Sequence, residues 1–202
     1  MRGVINGFLA GLCIAIGGSV YSSCENRYVG AFLFSVALFT ICVFGFSLYT
    51  GKIGYIVENH KKSDFAVLFS GLLGNAIGCA LFGVLISIAQ PQLAAAAQTI
   101  CTAKLAQGAI PAVIRAFFCG VLMYIAVQVY KVKDNPIGIF ICIPVFILSG
   151  FEHSIANMFY FSAAGFFNLP SLYYIALIVL GNSLGGMCIP FFEKFTKEKI
   201  KF

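Results

Sequence analysis

Charged side chains are scarce in this 202-residue chain. They make up 10% of it, as 13 basic and 7 acidic residues, where a soluble domain carries about 25%. That scarcity excludes a water-soluble globular fold, a disordered segment and a nucleic-acid-binding domain, each of which depends on many more charges. Histidine is scarcer still, at His60 and His153 alone, so neither a metal site nor a membrane enzyme finds a ligand set, and no cofactor is expected. No two of the eight cysteines form a C-x-x-C pair. Cys13, Cys42, Cys79, Cys119, Cys142 and Cys188 lie inside apolar runs, where a thiol behaves as a small hydrophobe. Cys24 and Cys101 fall near one surface without further support for a bridge.

What remains is apolar: 60% hydrophobic residues and a mean hydropathy of +0.97. A spanning helix needs about 20 apolar residues, and hydropathy predicts spans near 3–22, 29–57, 65–89, 108–130, 136–168 and 171–192. The expectation is an all-α polytopic membrane protein, with residues 1–202 forming one transport domain. The first run, with Gly7, Gly11, Gly17 and Gly18 at helix-packing spacings, is expected to cross the membrane rather than act as a leader. With the N-terminus inside, one surface receives Arg2, Lys61, Lys62, Lys131, Lys133, Lys194, Lys197, Lys199 and Lys201, and the other only Arg27 and Lys104. The positive-inside rule then puts both termini in the cytoplasm of a cell (inner) membrane. Lys52 and Arg115 stay within or beside spans. The tail 193–202 is expected to be a solvated end facing lipid headgroups.

Spans two and five are too long for one crossing and carry polar residues in mid-run. Aligning Gly45 and Phe46 with Gly150 and Phe151 gives an offset of 105 residues. Gly74, Asn75 and Gly78 align with Gly181, Asn182 and Gly185 at 107, and the run ending at Gly11 aligns with that ending at Gly120 at 109. Three near-constant offsets predict two halves, about 3–89 and 108–192. Three spans per half would make the second an inverted repeat, with broken helices two and five and a site near the midplane.

A helix interrupted at mid-depth exposes backbone N–H groups that suit an anion. Thr50 stands beside one predicted break; Glu152, His153, Ser154 and Asn157 stand at the other. Ionisable residues at this depth are functional candidates. For His153, beside a break on the repeat axis, the pore reading outweighs a packed core ring. Glu152 is expected to bond backbone at the break. Asn75 and Asn182 either tie the broken backbone or meet the permeant species, with the tie favoured. Lys104 either draws anions into a vestibule or snorkels at a helix end.

The run from Gly150 to Phe159 resembles the signature of the formate/nitrite transporter family, which also includes hydrosulfide channels and a lactate-transporting branch. Leu48, Tyr49, Thr50 and Gly51 are similar to the family's second-helix loop, and the pairs Gly74–Asn75 and Gly181–Asn182 to its helix-three and helix-six pairs. The resemblance implies a homopentamer of aquaporin-like protomers, one pore each, for a small anionic or weak-acid substrate. It implies a central His153 with Thr50, a vestibule Lys104, and Asn182 as the helix-six asparagine. It also implies constrictions of Phe34, Leu38 and Phe146 on one side and of Leu48 with Tyr49 on the other. The chain departs from many relatives at Gly120, at Ser47 in place of an acidic residue, and at Tyr49 in place of Phe. The expected function is passage of formate, nitrite, hydrosulfide or a short monocarboxylate, proton-linked through the histidine. The alternative is an aquaporin-like pore for small neutral solutes.

Overall fold

The computed structural model describes residues 1–57 and 60–196; Lys197, Lys199 and Lys201 of the basic tail lie outside the described residues. Among the described residues the chain is helical, with no strand. In order it forms α1 (Arg2–Ser23), α2 (Arg27–Phe44), α3 (Tyr49–Lys52) running into a 3₁₀ turn (Ile53–Val57), α4 (Lys62–Ala89) and α5 (Pro91–Leu105). Then follow α6 (Ala109–Lys133), α7 (Ile137–Leu148), α8 (Ser154–Ala163) and α9 (Leu169–Glu193). Helices α1, α2, α4, α6 and α9 are long and apolar enough to cross a membrane. The region expected as a fifth crossing is made in two pieces, α7 and α8.

Hydropathy assigns no crossing to the stretch between spans three and four, which folds as α5. Its cause is local: Pro91 sits in the first turn, where its missing N–H costs nothing, and Ala94 to Ala97 follow.

Both long runs break in the same way. Gly45 after α2 and Gly150 after α7 take φ of 69° and 70°, a left-handed conformation that glycine adopts without steric cost. The next residue closes each end: the Phe46 N–H donates to Ile41 O, and the Phe151 N–H to Phe146 O, both at 3.0 Å. This is the Schellman arrangement that satisfies last-turn carbonyls. The chain then runs extended and starts a new helix at Tyr49 or Ser154.

Helix α1 packs chiefly on α4, and α6 on α9. Small residues permit that closeness. A Cβ added at Gly74 would fall on the Val4 carbonyl oxygen, and one at Gly185 on the Phe117 carbonyl oxygen. Polar atoms concentrate inside, while Phe32, Val36, Leu73, Leu81 and Leu180 point outward, as a lipid-facing or protomer-facing surface requires. All eight thiols are free, so Cys24 and Cys101 form no bridge.

Candidate functional site

A buried asparagine holds each broken backbone. Asn75 accepts from the Tyr49 N–H through Oδ1 at 2.9 Å, and its Nδ2 donates to Gly7 O and Ser47 O at 2.8 Å each. Asn182 accepts from the Ser154 N–H at 2.8 Å and donates to Ala116 O and Glu152 O at 2.8 Å each. Both amides therefore spend both N–H donors on backbone. Asn75 and Asn182 thus act on the scaffold, each pinning the first residue of a half-helix to a long helix.

The two breaks meet. Thr50 Oγ1 lies 2.8 Å from His153 Nε2, with both residues buried. His153 is the N-cap of α8, and its Nδ1 accepts from the Ala156 N–H at 3.1 Å. A backbone N–H can only donate, so Nδ1 carries no proton and the neutral ring is protonated at Nε2. Nε2–H then donates to the Thr50 oxygen, which leaves the Thr50 hydroxyl proton available to another acceptor. A proton added to Nδ1 would face the Ala156 N–H donor to donor, so protonation of the ring forfeits the cap.

His153 lines a cavity of about 340 Å³ that also takes in Phe34, Phe146, Lys104, Glu152 and Asn157. The Phe34 and Phe146 rings meet edge to face at 6.4 Å, and Phe146 lies 5.7 Å from the imidazole. An apolar pair thus stands directly beside the buried polar contact. Farther out, Lys104 Nζ donates to Glu152 Oε2 at 2.5 Å, the Asn157 side chain donates to the same oxygen at 2.9 Å, and Gln107 donates to Oε1 at 3.2 Å. The expected backbone bonds of the Glu152 carboxylate are absent among the described residues. Three side-chain donors take it instead: Lys104 and Gln107, brought over the break by α5 and the bend after it, and Asn157 of α8. Lys104 is consequently one half of an ion pair rather than a free cation. Arg27 and Arg115 line the same cavity, so this face carries a third cation beyond the two expected. Arg27 donates to Leu148 O at 3.0 Å and Arg115 to Gln107 Oε1 at 3.1 Å.

A second cavity of about 310 Å³ lies by the other break, lined by Leu38, Leu48, Gly51, Lys52, Tyr55 and Lys131 among others. Leu38 lines this cavity, whereas Phe34, one turn before it on α2, and Phe146 line the first. Tyr49 lines neither cavity; its hydroxyl lies 2.9 Å from Ser183 Oγ, which holds the ring between helices. Ser154 likewise lines neither, and its hydroxyl finds no partner among the described residues.

Gln107, Arg27 and Arg115 escaped the sequence reading as site residues. The signal for Gln107 was its place three residues after Lys104, in the bend that follows a helix hydropathy does not reveal.

Residues 1–192 match the family model described as "Formate/nitrite transporter". Two relatives are both called "Nitrite transporter NirC". That of Escherichia coli (strain K12) is 28% identical over 206 residues, covering 92% of this chain and 76% of the relative. That of Salmonella typhimurium is 27% identical over 207 residues, covering 93% and 77%. A solved structure of an "FNT family ion channel" superposes with a TM-score of 0.81 at 22% identity, covering 98% of this chain and 88% of that one. A "Pentameric formate channel with formate bound" does so at 0.75 and 20%, covering 96% and 95%. These two likenesses are of fold, whereas the family model matches the sequence over nearly its whole length. The chain belongs to the formate/nitrite transporter family.

Proposed function

We propose that this chain forms a pore for small monovalent anions or their weak acids, such as formate, nitrite, hydrosulfide or a short monocarboxylate. Each protomer of a homopentamer in the cell (inner) membrane carries one pore. The observation that carries this reading is the contact between Thr50 and His153, with neighbours of the pair lining different cavities. A hydroxyl and an imidazole are the polar groups at the junction, and Phe34 and Phe146 on one side and Leu38 and Leu48 on the other flank it.

An anion crossing that apolar pair loses its hydration, at a cost that a neutral weak acid avoids. Anions gather in the cavity of Lys104, Arg27 and Arg115. Thr50 donates a hydrogen bond from its hydroxyl to the permeant oxygen, and a proton arriving from bulk water through an ordered chain lets the acid pass. His153 keeps its single ring proton at Nε2, since losing it would leave an imidazolate, and the ring holds the Thr50 hydroxyl turned toward the permeant ion. Uptake of the bulk proton by the anion is what links the flux to protons.

The halves 3–89 and 108–192 are read as inverted repeats; the like glycine caps and asparagine ties at the two breaks support that reading. The basic residues Arg2, Lys61, Lys62, Lys131, Lys133 and Lys194 support cytoplasmic termini. The NirC relatives favour nitrite as the permeant species, and the formate-bound pentameric neighbour favours formate and a pentamer.

The test is a proteoliposome panel of formate, nitrite, hydrosulfide, acetate and lactate between about pH 5 and 8, with glycerol as the neutral control. Weak-acid flux that rises as pH falls, without glycerol flux, is expected. Glycerol flux with no anion response returns the pore to the neutral-solute class.

A further inference from the structure

The cavity beside Leu48 carries charge that no described residue within it balances. Lys52, in the last turn of the four-residue helix α3, and Lys131, in the last turn of α6, both line it. No carboxylate lines it among the described residues. Lys131 has an ordinary explanation, since a cation at a helix C-terminus near the basic membrane face is favourable. Its ammonium rests 3.6 Å from the centroid of the Tyr55 ring.

Lys52 has no such explanation. It is half-buried directly beneath a broken helix, and the neutral Ser47 hydroxyl accepts one of its N–H groups at 2.9 Å. An ammonium has three donors, so two remain without an acceptor among the described residues. The Lys131 side chain lines the same cavity and carries the same charge. A half-buried cation in a membrane protein is costly unless an opposite charge meets it, and here the protein supplies a second cation instead. An anion from solution would supply the charge that no described residue brings to Lys52.

We infer that Lys52 and Lys131 form an anion-binding site in this cavity, which holds a small monovalent oxyanion on the side of the pore opposite the Lys104–Glu152 pair. The proposal rests on the reading of the chain as an anion pore and adds an occupied station to it. The two mouths then differ in kind. One neutralises its most buried cation with Glu152, while the other leaves Lys52 to the permeant ion. Anions entering from the Lys52 side are retained and saturate at lower concentration than those entering from the other.

Cys42 lines the same cavity and reports on it without any transport measurement. The full-length protein in nanodiscs, with both faces open, is treated with an anionic (sulfonatoethyl) or a cationic (trimethylammonioethyl) methanethiosulfonate. Modification of Cys42 is then followed by mass spectrometry. Any change in thiolate population affects both reagents equally, so the ratio of rates reads the cavity potential. The ratio is expected to fall about tenfold in Lys52→Gln, to fall less in Lys131→Gln and to survive in Lys52→Arg. Formate is expected to protect Cys42 saturably in the wild type against a gluconate control, and not in Lys52→Gln. An unchanged ratio in both glutamine variants overturns the proposal, as does formate that never protects or a Cys42 that neither reagent reaches. Lys131→Gln and wild-type protection keep the test decisive where Lys52→Gln fails to fold. Protection without any anion flux would sink the transport reading and leave the site. Flux without protection would do the reverse.

Discussion

Replacing Lys104 with Gln should do more damage than replacing Lys104 and Glu152 together. The side chains of the pair are 16% and 3% exposed, with oxygen and nitrogen 2.5 Å apart. Removing one partner of a buried ion pair costs about 3–5 kcal/mol, because it strands the other charge; removing both is often near neutral. Glu152 would keep its bonds from Asn157 at 2.9 Å and Gln107 at 3.2 Å, which puts Lys104→Gln at the low end, about 3 kcal/mol. Lys104→Gln with Glu152→Gln should recover most of that, leaving a coupling energy of about 2 kcal/mol. Transport should follow the same order. The single variant leaves a bare carboxylate where the anion enters, so formate uptake at sub-saturating concentration should fall about tenfold. The double variant removes that repulsion and should recover most of the uptake. Denaturant unfolding in mixed micelles and initial uptake into proteoliposomes measure the two arms. A double variant no better than the single one in either assay would mean that Lys104 acts as an independent cation, and the ion-pair reasoning would fail.

Four other outcomes are expected. Asn182→Leu leaves the Ser154 N–H and the Ala116 and Glu152 carbonyls without their partner; at about 1–3 kcal/mol for each buried group, thermal stability of the assembly should collapse, and a wild-type melting profile would refute the tie. Gly185→Ala should destabilise strongly through the Phe117 carbonyl, whereas Gly108→Ala, whose new Cβ meets Pro111 Cδ at 3.5 Å, should be silent in the same melt. Thr50→Val keeps the side chain's shape but removes the hydroxyl, and a rise of about 1.4 kcal/mol in the barrier corresponds to about tenfold slower flux; unchanged flux would leave Thr50 a packing residue. His153→Asn removes the ring that orients Thr50, so flux should fall across about pH 5 to 8, while profiles parallel to wild type at equal rates would make the ring structural.

Features that depend on one stretch of chain were legible before any fold was known. Hydropathy marks the five long helices because a crossing segment must be apolar throughout. The two breaks show because glycine is the residue that ends a helix in the left-handed conformation, at Gly45 and again at Gly150. Asn75 and Asn182 stood out as matching polar residues, but their partners, between 26 and 68 residues away, did not. Helix α5 was hidden because its signals are Pro91 and the alanine run, which register helix propensity rather than hydropathy. With α5 hidden, the Lys104–Glu152 bond across 48 residues was hidden too. Lys104 therefore read as an isolated cation and Glu152 as a backbone acceptor. Sequence spacing places Leu38 one helical turn after Phe34 but does not show which cavity lies beside each turn.

The two breaks are alike in backbone and unlike in side chain, and that contrast bears on mechanism. Each needs a left-handed glycine to stop one helix and a buried asparagine to start the next, so the scaffold at the junction is built twice from the same parts. What those scaffolds hold is different: Thr50, with one hydroxyl, on one side, and His153, with two ring nitrogens, on the other. Two histidines would need two capped rings and would place like groups face to face, with no donor chain between them. Two threonines would give a hydroxyl pair with no ring N–H to fix its direction. The mixed pair gives a fixed direction instead, from the Ala156 N–H to Nδ1 and from Nε2–H to Thr50 Oγ1, leaving one hydroxyl proton for an acceptor. Asymmetric side chains on matched backbones thus give the junction hydrogen bonds of one fixed direction, and the unequal charge of the two cavities gives it a different neighbour at each end.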